Sequence, residues 1–95
     1  MAGQSPSLVD RLTAHGFRRV AYDQGKVTHG YLKDVSASEL AEKIGLDSTV
    51  EEFCEKGVVE YLPEVETIQW CLDDGSFEAF NTASEDAQKL IEAFM

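Results

Sequence analysis

The stretch 66–80, ETIQWCLDDGSFEAF, constrains the fold of this chain more than any other. It holds the single tryptophan, Trp70, and sets strand-favouring residues on both sides of Asp74-Gly75, the strongest short-range hairpin signal. A two-residue loop at Asp74-Gly75 places Leu72 opposite Phe77 and Trp70 opposite Ala79. A three-residue loop places Leu72 opposite Ser76 and Trp70 opposite Glu78. Side chains alternate with period two along a strand, so the hydrophobic pattern selects the two-residue register. Ile68, Trp70, Leu72 and Phe77 then share one face, and that face needs a cover.

The rest of the chain supplies candidate covers. A helix is expected over 6–15, with Ser5 as N-cap, Pro6 as first helical residue, Leu8, Val9 and Leu12 inward, and Gly16 just past its end. A first hairpin follows over 17–22 and 26–32. With Gln24-Gly25 as its loop, Asp23 pairs with Lys26, Tyr22 with Val27 and Val20 with His29, which sets opposite charges and apolar residues across from each other. Gly30 marks a weak point, a bulge or a close backbone approach. Two capping boxes come next. Ser36-Ala37-Ser38-Glu39 opens a helix with Leu40, Ala41 and Ile44 inward, ended by Gly45. Ser48-Thr49-Val50-Glu51 opens another with Val50, Phe53 and Cys54 inward, ended by Gly57. Residues 58–62 read as a strand that Pro63 bends or breaks. After the main hairpin, Thr82-Ala83-Ser84-Glu85 opens a last helix with Ala87, Leu90, Ile91 and Phe94 at helical spacing. The order α-β-β-α-α-β-β-β-α predicts an α+β fold: one small domain over 1–95, with a mostly antiparallel sheet built from two hairpins and helices packed on one face.

At 95 residues the chain suits one modest core. No apolar run approaches the length of a membrane span, and the N-terminal residues lack the basic and apolar regions of a signal peptide. A cytoplasmic, soluble protein is expected, with no membrane contact. In that setting Cys54 and Cys71 read as reduced, small apolar residues rather than a disulfide.

Charge is the unusual bulk property: 18 acids against 8 bases, a net of −10. Residues 1–33 carry two acids and five bases, net +3, and residues 34–95 carry sixteen acids and three bases, net −13. Such a field opposes direct nucleic-acid binding and favours a protein partner with a basic surface. The acids concentrate at Glu51, Glu52 and Glu55, then Glu60, Glu64 and Glu66, then Asp73 and Asp74. These eight are the candidate partner-binding residues. A wall of this kind imitates a phosphate backbone or docks on a basic groove. Its bland counterpart is a solvated face that keeps the protein soluble.

Signals for chemistry are weak. His15 and His29 are the only histidines, and no spacing fits a zinc site, a calcium loop or a phosphate loop, so neither metal nor cofactor is expected. Asp73 and Asp74 read as turn formers. A Cys71/His29 nucleophile–base pair is the one enzymatic alternative, and it needs contact between two strands. Arg18 and Arg19 read as flanking charges on a strand, with contact to a phosphate or a carboxylate as the alternative.

Two segments resemble a family of small bacterial domains of unknown function, the one numbered 2442. That family has a strand ending in Phe-Asp-Asp-Gly, an Asp- and Leu-rich helical stretch, a Phe before a strand, and a Trp-Pro-Asn-Gly turn. Here Val20-Ala21-Tyr22-Asp23-Gln24-Gly25-Lys26-Val27 is similar to the first part. Phe53, Val58, Val59 and Thr67-Ile68-Gln69-Trp70 are similar to the rest. Trp70 is followed by Cys71-Leu72-Asp73-Asp74-Gly75 where the family has Pro-Asn-Gly at once, and the helices at both ends are extra. The resemblance implies no catalytic residues, only a small interaction protein. The expectation is a non-enzymatic binding module that occludes a basic surface of its partner, in the manner of antitoxins and of phage-encoded inhibitors of host defence, anti-CRISPR proteins among them. An adaptor subunit binding through an exposed apolar patch is the alternative.

Overall fold

The structure is a computed structural model describing residues 7–47 and 49–94, apart from the Glu51 side chain. Five strands form one antiparallel sheet in the order β1-β2-β3-β4-β5: β1 Arg18–Gln24, β2 Val27–Ser36, β3 Lys56–Leu62, β4 Thr67–Leu72 and β5 Phe77–Asn81. Each strand therefore lies beside its neighbour in sequence. Four helices accompany it: α1 Leu8–Ala14, α2 Ala37–Ile44, a single turn α3 Val50–Phe53, and α4 Glu85–Phe94. The fold is α+β, and no described helix is long and apolar enough to cross a membrane.

The core lies on one face of the sheet. Leu12 of α1, Leu40 of α2 and Ala87, Leu90, Ile91 and Phe94 of α4 bury against Val35, Val59, Ile68, Trp70 and Leu72. The cross-strand pairs Val59–Trp70, Tyr61–Ile68 and Gly57–Leu72 set these side chains on that face. Residues of opposite parity, Arg18, Leu32, Val58, Glu60, Gln69, Cys71, Phe77 and Ala79 among them, point the other way, where no residue of the core cluster lies.

Local chemistry explains most element ends. Ser36 closes β2 and caps α2 in the same position: it pairs with Lys56, and its hydroxyl accepts the Glu39 N–H at 3.0 Å. Gly45 ends α2 in the left-handed region at φ 76°, where glycine pays no steric penalty. α1 begins at Leu8 with Ser7 as N-cap; Ser5 and Pro6, expected to open it, lie outside the described residues. The last helix is capped by Ser84, whose hydroxyl accepts the Ala87 N–H at 3.2 Å, and not by Thr82. The expected inward residues of α4 are the buried ones.

Both hairpin registers differ from expectation. In the main hairpin Trp70 pairs with Glu78 and Cys71 with Phe77, around the three-residue loop Asp73-Asp74-Gly75. Leu72 N–H donates to Ser76 O at 2.8 Å, and Gly75 has φ 92°. A turn closed by a glycine at positive φ is the usual three-residue hairpin, and its geometry overrides the apolar pairing of Leu72 with Phe77. Phe77 consequently leaves the core and is 66% exposed. In the first hairpin Ala21 pairs with His29 and Gln24 with Val27, so the loop is Gly25-Lys26 and a bulge lies between Ala21 and Gln24. α3 is also shorter than expected. Its N-cap is Thr49 without a side-chain bond, Phe53 is 76% exposed, and Gly57 belongs to β3 instead of ending the helix. Ser48 lies outside the described residues.

Candidate functional site

The eight acids singled out in the sequence occupy three places. The first is the end of the sheet where α3 meets the β4–β5 turn. Asp73 Oδ2 accepts the backbone N–H of Glu55 at 3.2 Å and of Lys56 at 3.4 Å, and Asp73 N–H donates to Lys56 O at 3.1 Å. Those bonds tie the turn to the α3–β3 connection. Asp74 Oδ1 accepts the Ser76 N–H at 2.8 Å, and this bond holds the Asp74 carboxyl below the usual carboxylate range. Glu52 and Glu55 are exposed beside it, and Glu51 belongs to the same helical turn, its side chain lying outside the described residues. The two most exposed large apolar side chains, Phe53 and Phe77, flank this end from α3 and from the start of β5. A cavity of about 690 Å³ opens there, with Asp34, Glu39, Glu55, Asp73 and Lys56 among its lining.

The second place is the opposite end. Glu64, in the 3-10 turn Pro63–Val65, reaches β2: its Oε1 accepts the Thr28 N–H at 2.7 Å, the Thr28 hydroxyl at 2.8 Å and the His29 N–H at 3.2 Å. These donors lower its carboxyl below the ordinary value, the Thr28 amide first. Glu66 ends the turn at φ 49° and is exposed. β3 runs between the two ends, and its six residue steps span about 20 Å. The third place is the uncovered sheet face, where Glu60 accepts hydrogen bonds from the Tyr22 hydroxyl and from Gln69 Nε2. Burial, and then the Glu60 bond, push the Tyr22 hydroxyl up to about 12. The eight acids thus do not form one wall. Glu52, Glu55, Asp73 and Asp74 come together with the backbone of Glu51, while Glu60, Glu64 and Glu66 lie elsewhere.

The cysteine–histidine pair does not assemble. Cys71 is on β4 and points to the uncovered face, whereas His29 is on β2 and packs edge-on against Tyr31 on the helix side, with β3 between the strands. Both thiols are free: Cys54 is buried in the core and Cys71 is half-buried across the sheet. Burial is the first cause that raises each thiol above its usual value. Among the described residues no group of three or more His, Cys, Asp or Glu side chains is placed to hold a metal ion. Arg18 pairs with Asp34 at 2.9 Å on the surface.

Sequence reasoning missed the aromatic part of the acidic end, because it assigned Phe53 and Phe77 to the core. A four-residue helix between two glycines is too short to bury a whole face, and that spacing was the available signal for Phe53. Comparison of the chain with protein-family models, with curated proteins and with solved structures returned no match. The resemblance to family 2442 therefore rests on the quoted residues alone.

Proposed function

We propose that this chain is a small non-enzymatic binding module whose α3 end occludes a basic surface of a protein partner, as antitoxins and anti-CRISPR inhibitors do. The observation that carries the reading is the meeting of Glu52, Glu55, Asp73 and Asp74 with the exposed rings of Phe53 and Phe77 at one end of the sheet. Carboxylates attract Lys and Arg from a distance and speed encounter. Exposed rings add apolar area at contact, and their faces accept cations. The backbone bonds to Asp73 and Asp74 hold those two carboxylates in place before the partner arrives, which lowers the ordering cost of binding.

The test begins with capture of the partner and continues with association kinetics over a salt series. Association slows as salt rises. Reversal of Glu51, Glu52 and Glu55 to Lys slows it further, while reversal of Glu85 and Asp86, at the start of α4, changes it little. A triple reversal that folds and binds like the parent refutes the reading. A second reading, an adaptor that binds through an apolar patch, is favoured by the uncovered sheet face with Val20, Leu32, Val58 and Phe77. Affinity that ignores salt is the result that selects it.

A further inference from the structure

The cavity of about 690 Å³ at the α3 end reaches onto the uncovered side of the sheet, where Val58 and Cys71 give it half-buried apolar lining. Phe77, the cross-strand partner of Cys71, stands beside them with its ring 66% exposed. The charges around this space are one-sided. Asp34, Glu39, Glu55 and Asp73 line it against a single base, Lys56. The four carboxylates converge from the β2–α2 junction, the α3–β3 connection and the β4–β5 turn. The amides of Glu55 and Lys56 hold the Asp73 carboxyl in place. One guanidinium is already engaged there: Arg18 Nη1 donates to Asp34 Oδ2 at 2.9 Å, and both side chains are exposed. That pair displays the chemistry the lining accepts.

We infer that this cavity receives an arginine side chain of a basic protein partner, so that the open sheet face docks an arginine-bearing segment. The inference rests on the reading of the α3 end as the docking end, and it adds which residue enters and where. Charge complementarity selects a cation, since four acids stand against one base. Shape and hydration then select arginine over lysine. A guanidinium is planar and weakly hydrated, and its donors form a fork that carboxylates accept in pairs. Its flat face stacks on aromatic rings and its stem packs on apolar surface, here Phe77, Val58 and Cys71. An ammonium is compact and strongly hydrated, so the same apolar surroundings cost it more. The volume falls within the roughly 300–1,000 Å³ of ordinary ligand pockets, so a whole side chain has room. Lys56 is the competing cation, and its charge weakens the field that the arginine enters. A second copy of the chain, itself at net −10, brings mostly acid to an acid-lined space.

Titration of the full chain with two end-blocked peptides of equal charge, hexa-arginine and hexa-lysine, tests this through the backbone amide resonances. The expected result is that hexa-arginine moves Lys56, Val58 and Cys71, leaves Glu64 and Glu66 at the opposite end in place, and binds at least about threefold tighter than hexa-lysine. It also slows alkylation of Cys71 by a maleimide. Glu39→Gln with Glu55→Gln weakens hexa-arginine about tenfold, and Lys56→Gln tightens it about threefold. Glu85→Gln with Asp86→Asn removes the same charge at the start of α4 and changes it little. Melting curves confirm that each variant folds. Equal binding of the two peptides, or equal losses for the two double variants, overturns the inference and leaves only diffuse attraction by net charge. A chain that sediments alone at twice 10.5 kDa with Cys71 protected overturns it too, by giving the face to a second copy. No partner is present in these measurements, so the two readings fail separately. Partner association that slows with salt survives a cavity blind to arginine, and arginine capture survives a partner whose affinity ignores salt.

Discussion

Replacing Trp70 with alanine removes the bulkiest side chain in the core. Trp70 is 7% exposed and shares its cluster with Leu90, Ile91 and Phe94 of α4. A tryptophan buries roughly 200 Å², which at about 25 cal/mol per Å² corresponds to about 5 kcal/mol of transfer free energy. Alanine retains the Cβ share, which lowers the loss. The site also borders a cavity of about 540 Å³ whose lining includes Lys43, Phe80 and Leu90, so neighbouring side chains and water have room to settle into the vacated space. The expected cost is therefore about 3–4 kcal/mol, within the range for large aromatic truncations. A chain of this length is stable by about 5–14 kcal/mol, so the loss is a large fraction of the whole. Urea unfolding followed by far-UV circular dichroism measures it without a tryptophan signal, and an unchanged slope shows that the midpoint shift is a stability change. Phe53→Ala is the control. It removes an apolar ring that is 76% exposed and costs less than about 0.5 kcal/mol. A Trp70→Ala cost below about 1 kcal/mol, or equal costs for the two variants, refutes the packing argument. Red-shifted native emission from Trp70 does so as well.

Two further outcomes follow from single residues. Glu64 is held below its ordinary value of 4.5 by Thr28 and His29, so its folded form binds a proton less readily than the unfolded chain; its contribution to stability is full above about pH 4.5 and is lost as pH falls through the lowered value. Glu64→Gln should flatten the acid limb of a stability-versus-pH curve, and an unchanged limb refutes the assignment. At Gly30 an added Cβ would meet the Tyr22 ring at 2.8 Å, Leu62 Cδ2 at 3.0 Å and the Tyr61 carbonyl at 3.2 Å, and the carbonyl cannot step aside. Gly30→Ala should cost about 1–3 kcal/mol and bring the Tyr22 titration down from about 12; a variant that melts and titrates like the parent refutes that account.

What the sequence disclosed was the local part. The Ser36 capping box, the Gly45 stop and the inward residues of α4 follow from side-chain bonds and periodicity within one element, and each is where the residues place it. The hairpin registers were harder to read, because they set two local rules against each other. At 72–77, apolar pairing favoured Leu72 with Phe77, while Asp74 and Gly75 also suit a three-residue loop that moves Phe77 outward. Choosing between them requires knowing that the second face of the sheet is open and can accept Phe77, and that is a tertiary fact. The acidic site was half legible for the same reason. The acids were visible as a charge run, but their division between the two ends of β3 and the open sheet face depends on the topology that carries Glu64 to Thr28, Asp73 to Glu55 and Glu60 to Tyr22.

The strand order has a consequence for how the chain assembles. Every strand pairs with the one before it, so no strand must be inserted between two that already exist. On a ribosome each new strand meets a finished edge, and pairing proceeds by short loop closures, fast and cheap in entropy, except between β2 and β3, where residues 37–55 with α2 and α3 intervene. The cover is a further exception. Leu90, Ile91 and Phe94 belong to α4, which follows all five strands in the chain, so the Ile68–Trp70–Leu72 surface of a completed sheet stays wet until that helix docks. Assembly of the sheet therefore leaves one face waiting for a helix that is made after every strand.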